Sequence, residues 1–242
     1  MNCLILEEPL DGDLYRVLRT TVERSFGMPI NDISPGRKIN IAFLGGERGI
    51  AEISAVMPNW IDIRVVSLTP SLPLEPIDLI VGLSRPQTTK KVLQIAVMLG
   101  VRSLHFVTTS RGQKSYAEAN IFNADTLKQE VIKSLEQIGH GYYPEIKVHR
   151  NFHYFEKQHL TGFAKNTHKL IATPNSPMFR TKDSFSRTDS IALSVGPEAG
   201  WSREEVAIFE SAGFSKIGLG ERVVRVEVAV SMLLGQVAML RV

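Results

Sequence analysis

Hydrophobic and polar positions change rhythm near residue 75 of this chain. Before it, period two dominates. Ile39, Ile41 and Phe43 recur at every second position up to Gly45-Gly46. A second apolar stretch runs over 50–56, and Ile61, Ile63 and Val65 alternate with Trp60, Asp62 and Arg64. This pattern predicts strands. The exception is 14–26, where Leu14, Val17, Leu18, Thr21 and Val22 recur at helical spacing and predict a helix.

After it, short apolar runs alternate with periods of 3.6. Strands are predicted over 77–83, 101–108, 145–148, 169–172, 190–195 and 216–219. Helices are predicted over 87–99, 125–138, 202–212 and 226–240, the first two closed by Gly100 and Gly139. Strands alternating with helices imply an α/β domain with a parallel, helix-covered sheet. Between the two regimes, Pro70, Pro73 and Pro76 make a stiff extended linker. The boundary therefore falls there, giving domains 1–72 and 73–242.

The 242 residues suffice for two modest domains, and 43% apolar with 22% charged residues excludes a disordered chain. No apolar run approaches the ~18 residues of a membrane span. The first residues turn acidic at Glu7-Glu8 and do not read as a signal peptide. The single Cys3 permits no internal disulfide and no cysteine-based zinc site, so a reduced, cytoplasmic protein is expected. Net charge is +3, but residues 1–72 carry −2 and residues 73–242 carry +5. Any attraction for nucleic acid should come mainly from the second part.

Two late segments carry candidate chemistry. In the first, the apolar run Leu193-Ser194-Val195 meets Gly196-Pro197-Glu198-Ala199-Gly200, then a helix. Ser202 and Glu205 form a capping box, and Trp201 with Val206 a hydrophobic staple. The loop is thus pinned at both ends, at the edge where open α/β sheets bind ligands. It matches no dinucleotide or triphosphate fingerprint, and Pro197 lacks a donor that a phosphate nest would use. In the second, Gly218-Leu219-Gly220 leads through Glu221-Arg222-Val223-Val224-Arg225 into the apolar helix that holds Glu227.

These two segments, with Ala212-Gly213-Phe214 between them, resemble the C-terminal signature of the RsmE-type 16S rRNA (uracil-N3) methyltransferases of the SPOUT class. Weaker similarities lie at Val17-Leu18-Arg19, Gln94, Leu99-Gly100-Val101, Arg111, Glu136-Gln137 and Pro144. The resemblance implies a PUA-like, RNA-binding β-barrel followed by a SPOUT domain whose C-terminal chain forms a trefoil knot. It implies S-adenosylmethionine as methyl donor, small-subunit ribosomal RNA as substrate, and a homodimer without metal or membrane attachment. The implied cofactor pocket comprises Thr173, Pro174, Gly196, Pro197, Glu198, Leu219, Gly220, Val223 and Val224. Arg225, Glu198 and Glu227 are the implied catalytic residues, and Arg19, Arg111 and Arg222 the RNA-binding ones.

The chemistry is consistent with those residue types. A sulfonium without phosphates needs apolar walls, backbone groups and acceptors. Methylating uracil N3 removes a proton and spreads negative charge onto the ring oxygens. Arg225 can stabilise that charge, and Glu198 or Glu227 can accept the proton. The sequence departs from the family pattern at Val226 and Val228, where threonines are expected. It departs again at Ile95 and Met98, where Lys and Glu are expected, and at Ala199, where a glycine is. These departures keep open a non-catalytic RNA- or ribosome-binding protein on the same scaffold. A metabolite-binding α/β domain would use the same loops without RNA. His149 and His153, without a glutamate partner, read as a solvated face rather than a metal site. Trp60, Tyr142, Tyr143 and Tyr154 read as core aromatics rather than base-stacking groups.

Overall fold

The computed structural model describes residues 2–7, 12–27, 32–164, 166–179 and 184–241. They group into two units, Met1–Pro73 with Lys128–Tyr143, and Leu74–Leu127 with Pro144–Val242.

The first unit is a five-stranded sheet with helices. Its strands are β1 (Leu4–Leu6), β2 (Leu14–Leu18), β3 (Lys38–Phe43), β4 (Arg48–Val56) and β5 (Trp60–Thr69), and α1 spans Arg19–Phe26. The order is β1-β3-β4-β5-β2, antiparallel except for β1 beside β3. The period-two residues do what alternation requires. Ile39, Ile41, Ile53, Ile61 and Ile63 turn inward and meet Leu4, Leu6, Tyr15 and Val22 in one core. Register shifts at Ile50/Ala51 and Ile53/Ala55 bend β4 and curl the sheet.

The helix expected over 14–26 is half strand. Residues Leu14–Leu18 form β2, paired antiparallel with β5 from Leu14↔Arg64 to Leu18↔Trp60. Only from Arg19 does the chain turn helical, until Gly27 closes it at φ 60°. The ladder to β5 supplies backbone partners to these five residues, and that tertiary gain overrides a local helical spacing. The three-residue β1 is too short to show a period.

The second unit holds β6 (Glu75–Gly82), α2 (Pro86–Met98), β7 (Val101–Val107), β8 (Glu145–His149), α4 (Phe152–Gln158), β9 (His168–Ala172), β10 (Ile191–Val195), α5 (Arg203–Ser211), β11 (Ser215–Ile217) and α6 (Val226–Leu240). Helix α3 (Ala124–Ile138) begins in this unit and continues into the first. The sheet runs β11-β9-β10-β6-β7-β8, and every pair is parallel. A parallel sheet must be covered on both faces, and β10 is accordingly buried at every position. Ile80, Ile171 and Ala192 meet Phe155, Trp201, Phe209 and Phe214 in one core cluster. Helix α2 buries Val92, Leu93, Ala96 and Val97, and it packs against α6, which buries Val226, Val230, Leu233, Leu234 and Val237. Each fully buried valine or leucine among them contributes about 1.5–3 kcal/mol.

The expected α2, α3, α5 and α6 are present, each within a residue or two of its predicted bounds. The seven-residue α4 was not expected; it is too short for a convincing period. No helix of the described residues is long and apolar enough to cross a membrane.

Candidate functional site

Because β9, β10 and β11 are parallel, the loops that follow them leave one edge of the sheet together. The loop after β9 begins at Thr173, whose N–H donates to the Ile217 carbonyl of β11 at 2.9 Å. Its hydroxyl lies 2.6 Å from that of Ser176. Asn175 turns the chain at φ 60°, the one non-glycine with positive φ among the described residues. The loop then lies against the one after β11. The Gly218 N–H donates to the Pro177 carbonyl at 2.8 Å, and a Cβ on Gly218 would strike the Ser176 carbonyl. Gly220 continues at φ 96°, with Met178 Sδ 3.6 Å from where its Cβ would stand. Thr173 is thus held to Ile217, while Ser176 and Pro177 lie against Gly218 and Met178 against Gly220. Leu219 and Val224 are half-buried, whereas Val223 is 91% exposed.

The loop after β10 is a tight turn: the Gly200 N–H donates to the Pro197 carbonyl at 2.8 Å. Pro197 is buried against Gly82, where any Cβ would collide with the proline ring. A Cβ on Gly196 would lie 2.9 Å from Trp201 N and 3.1 Å from Gly200 Cα. Gly196 is therefore demanded by the loop's own closure. The positive φ falls on Gly200, at 69°, so Ala199 stands in the glycine position without strain. The capping box is present as expected: Ser202 Oγ accepts from Glu205 N–H, and Glu205 Oε2 accepts from Ser202 N–H at 2.7 Å.

The proposed charged residues are dispersed around these loops. Glu198 Oε1 accepts the Arg85 N–H at 3.1 Å, where α2 begins. Arg111 Nη1 donates to the Ala199 carbonyl at 3.3 Å. Arg225 is exposed and is the N-cap residue of α6. Glu227, in the first turn, pairs with Lys91 of α2 at 3.2 Å. A hydrogen bond from its own backbone N–H, with Lys91 and Arg225 adding their charge, holds Glu227 below the usual carboxylate range. Arg222 is exposed. Arg19 belongs to the first unit, where it pairs with Glu23 at 3.2 Å. Sequence reasoning missed Arg85 and Lys91 as partners of this region, because both lie far away in the chain.

The histidines correct the expectation of a solvated face. His153 is exposed beside Glu156, but His149 is buried with His105. Ser103 Oγ donates to Asp78 Oδ1 at 2.6 Å, so its lone pair accepts from His105 Nε2–H at 3.1 Å. His105 Nδ1 then accepts from His149 Nε2–H at 2.9 Å. Burial, with help from positive neighbours, lowers His105 to about 4 and His149 to about 3. Among the described residues, no three His, Cys, Asp or Glu side chains are arranged to hold a metal ion. The four aromatics expected in the core are instead exposed, at 38% for Trp60, 37% for Tyr142, 40% for Tyr143 and 60% for Tyr154.

The chain matches the model of the RNA methyltransferase domain family over residues 70–238. It is 28% identical over 203 residues to the ribosomal RNA small subunit methyltransferase E of Treponema pallidum, covering 81% of this chain and 75% of that one. It is 22% identical over 236 residues to the ribosomal RNA small subunit methyltransferase E 2 of Borreliella burgdorferi, covering 95% and 93%. Its fold is similar to that of the Neisseria gonorrhoeae ribosomal RNA small subunit methyltransferase E solved bound to S-adenosyl methionine. The TM-score is 0.78 at 22% identity, over 100% of this chain and 98% of that one.

Proposed function

Because the chain belongs to the RNA methyltransferase domain family, we propose that it transfers a methyl group from S-adenosylmethionine to N3 of a uridine in small-subunit ribosomal RNA. The observation that carries this reading is the pair of loops at 173–178 and 217–220, laid backbone to backbone at the carboxyl edge of the parallel sheet. The third loop, at 196–200, leaves the adjacent strand. This edge fits a sulfonium ligand. Leu219 and Val224 offer apolar surface, Gly220 removes side-chain bulk, and the loops present backbone carbonyls and amides without a phosphate nest. In this reading, Thr173, Pro174, Gly196, Pro197, Glu198, Leu219, Gly220, Val223 and Val224 hold the cofactor, which supplies an electrophilic methyl group.

The chain's own residues do the rest. Arg225, exposed beside the cofactor loop, faces the uracil oxygens that become negative as N3 loses its proton. Of the two candidate acceptors, Glu227 is a poor one, since its carboxylate is held ionised by its backbone, Lys91 and Arg225. Glu198, exposed on the turn after β10, takes the N3 proton, and Glu227 keeps Lys91 in place. Methyl transfer then joins carbon to N3, breaks the carbon–sulfur bond and leaves a neutral thioether. Arg19, Arg111 and Arg222 contact the RNA.

The remaining family features belong to the same proposal. The curled first sheet is read as a PUA-like RNA-binding barrel in residues 1–72, preceding a SPOUT domain in residues 73–242. A trefoil knot in the C-terminal chain is read from the family resemblance. In that chain Ser176 lies against Gly218, and the Phe185 N–H donates to the Leu240 carbonyl at 2.9 Å. A homodimer is supported by Val228, Met232 and Met239, an apolar and exposed stripe along α6. Cytoplasmic localisation follows from a ribosomal substrate.

The test is methyl labelling of 30S particles and naked rRNA by the purified protein, with the modified base mapped. Label on uridine N3 is expected. Binding of rRNA without transfer would replace the reading with a non-catalytic RNA-binding scaffold.

A further inference from the structure

Glu205 lies 4% exposed at the start of α5, and its carboxylate does more than cap its own helix. Oε2 accepts the Ser202 N–H at 2.7 Å, closing the capping box. Oε1 accepts the Ser110 N–H, also at 2.7 Å, from the loop that follows β7. One buried charge thus joins two segments remote in sequence, through two short charge-assisted hydrogen bonds. The next residue, Arg111, reaches back over the same gap, its Nη1 3.3 Å from the Ala199 carbonyl. The loop after β7 is therefore fastened to the turn after β10 at two adjacent residues. Its attachment at Ser110 is part-buried, ending on the buried Glu205, and its attachment at Arg111 is exposed.

We infer that Glu205 is a positioning residue for RNA recognition: it fixes the loop so that Arg111 stands beside the Pro197–Gly200 turn, where its guanidinium meets an RNA backbone phosphate. The inference rests on the RNA methyltransferase reading and deepens it, by naming what orients one of the RNA contacts. The physical logic is directional. Arg111 has one Nη1–H engaged with Ala199 and further guanidinium donors, which suit a phosphate oxygen. Its backbone cannot swing while the preceding amide is held by a buried carboxylate. Glu205 itself is out of reach of any solvent-borne ligand.

The test uses the full chain, small-subunit rRNA as probe, and four proteins: wild type, E205Q, R111A and the double variant. Filter binding across a salt series and single-turnover methyl transfer are measured together. E205Q leaves one backbone N–H facing an amide group in place of an oxygen, and it should weaken RNA binding about tenfold. R111A should weaken it similarly and flatten the salt dependence by about one counterion. The double variant should bind no more weakly than R111A alone, because Glu205 acts through Arg111. In transfer assays, E205Q should raise the RNA concentration for half-maximal rate more than it lowers the rate at saturation.

Additive losses in the double variant would overturn the inference and leave Glu205 a purely structural cap. So would R111A binding RNA like the wild type. If E205Q does not fold, Glu205→Asp keeps the charge while drawing it back by one methylene, and it is held to the same cycle. The wild-type lane separates the two levels. Transfer by wild type with additive variants defeats only the inference, whereas no transfer by wild type defeats the functional reading and the inference with it.

Discussion

The buried histidine pair makes the second unit acid-labile in a window where few carboxylates titrate. In the unfolded chain His105 takes up a proton near pH 6.5, whereas in the fold it resists until about pH 4. His149 resists until about 3. As pH falls below 6.5 the unfolded state binds more protons than the native one, so stability falls; above 6.5 neither state binds them and stability is retained. For His105 alone the depression corresponds to about 3 kcal/mol across the window, of which about 2 kcal/mol is gone at pH 5. Lys147 and His159 deepen the effect, while Asp78 and Glu145 oppose it. The assay is urea unfolding at pH 7, 6 and 5, comparing wild type with a His105→Gln, His149→Gln double variant that has no imidazole to charge there. Wild type should lose about 4 kcal/mol more than the variant between pH 7 and 5, about 2 kcal/mol for each imidazole. Equal losses in the two proteins would refute the argument, as would a normal imidazole pKa for either residue by NMR.

Three further outcomes are expected. Gly218→Ala drives a Cβ into the Ser176 carbonyl, so it should cost about 1–3 kcal/mol in thermal or urea unfolding and lower S-adenosylmethionine affinity by calorimetry. Arg225→Ala should slow single-turnover methyl transfer at saturating RNA by ~10²–10³ while leaving cofactor affinity nearly intact. An unchanged rate would remove Arg225 from the chemistry. Lys91→Met removes a cation that holds Glu227 ionised, so the Glu227 pKa should rise by carboxyl NMR. A fall in that pKa would contradict the pairing.

What could be read from the sequence was what local physics determines. The capping box at Ser202 and Glu205 spans four residues, and the apolar pattern of Val226–Leu240 needs no partner to be recognised. The period-two run at Ile61 and Ile63 likewise announces its own strand. Features settled by distant residues were hidden. Leu14–Leu18 became a strand because β5 lay alongside, and His149 became a core residue because β7 brought His105 to it. The site followed the same rule. Its glycine loops were legible, but Arg85 under Glu198 and Lys91 under Glu227 were not, since nothing near either glutamate in sequence announces those contacts. Gly196 was singled out in the sequence only as a cofactor-pocket residue; the close approach of Trp201 N, which demands a glycine there, depends on how the loop folds over itself.

The order of the parallel sheet has a consequence for how this protein is made. β6 lies between β7, which follows it closely in the chain, and β10, whose Ile191 pairs with Ile77. A nascent chain emerging from its N-terminus can pair β6 with β7 early, but the other side of β6 stays open until most of the polypeptide has been synthesised. During that interval an apolar strand edge is unpaired and α2 lacks α6, the conditions under which chains associate wrongly. Closure then depends on non-local pairings, which form slowly. Vectorial synthesis therefore leaves the edge that gathers the three loops until last, and a chain released before β9 would hold its first unit and only β6, β7 and β8 of the second sheet, with no assembled site.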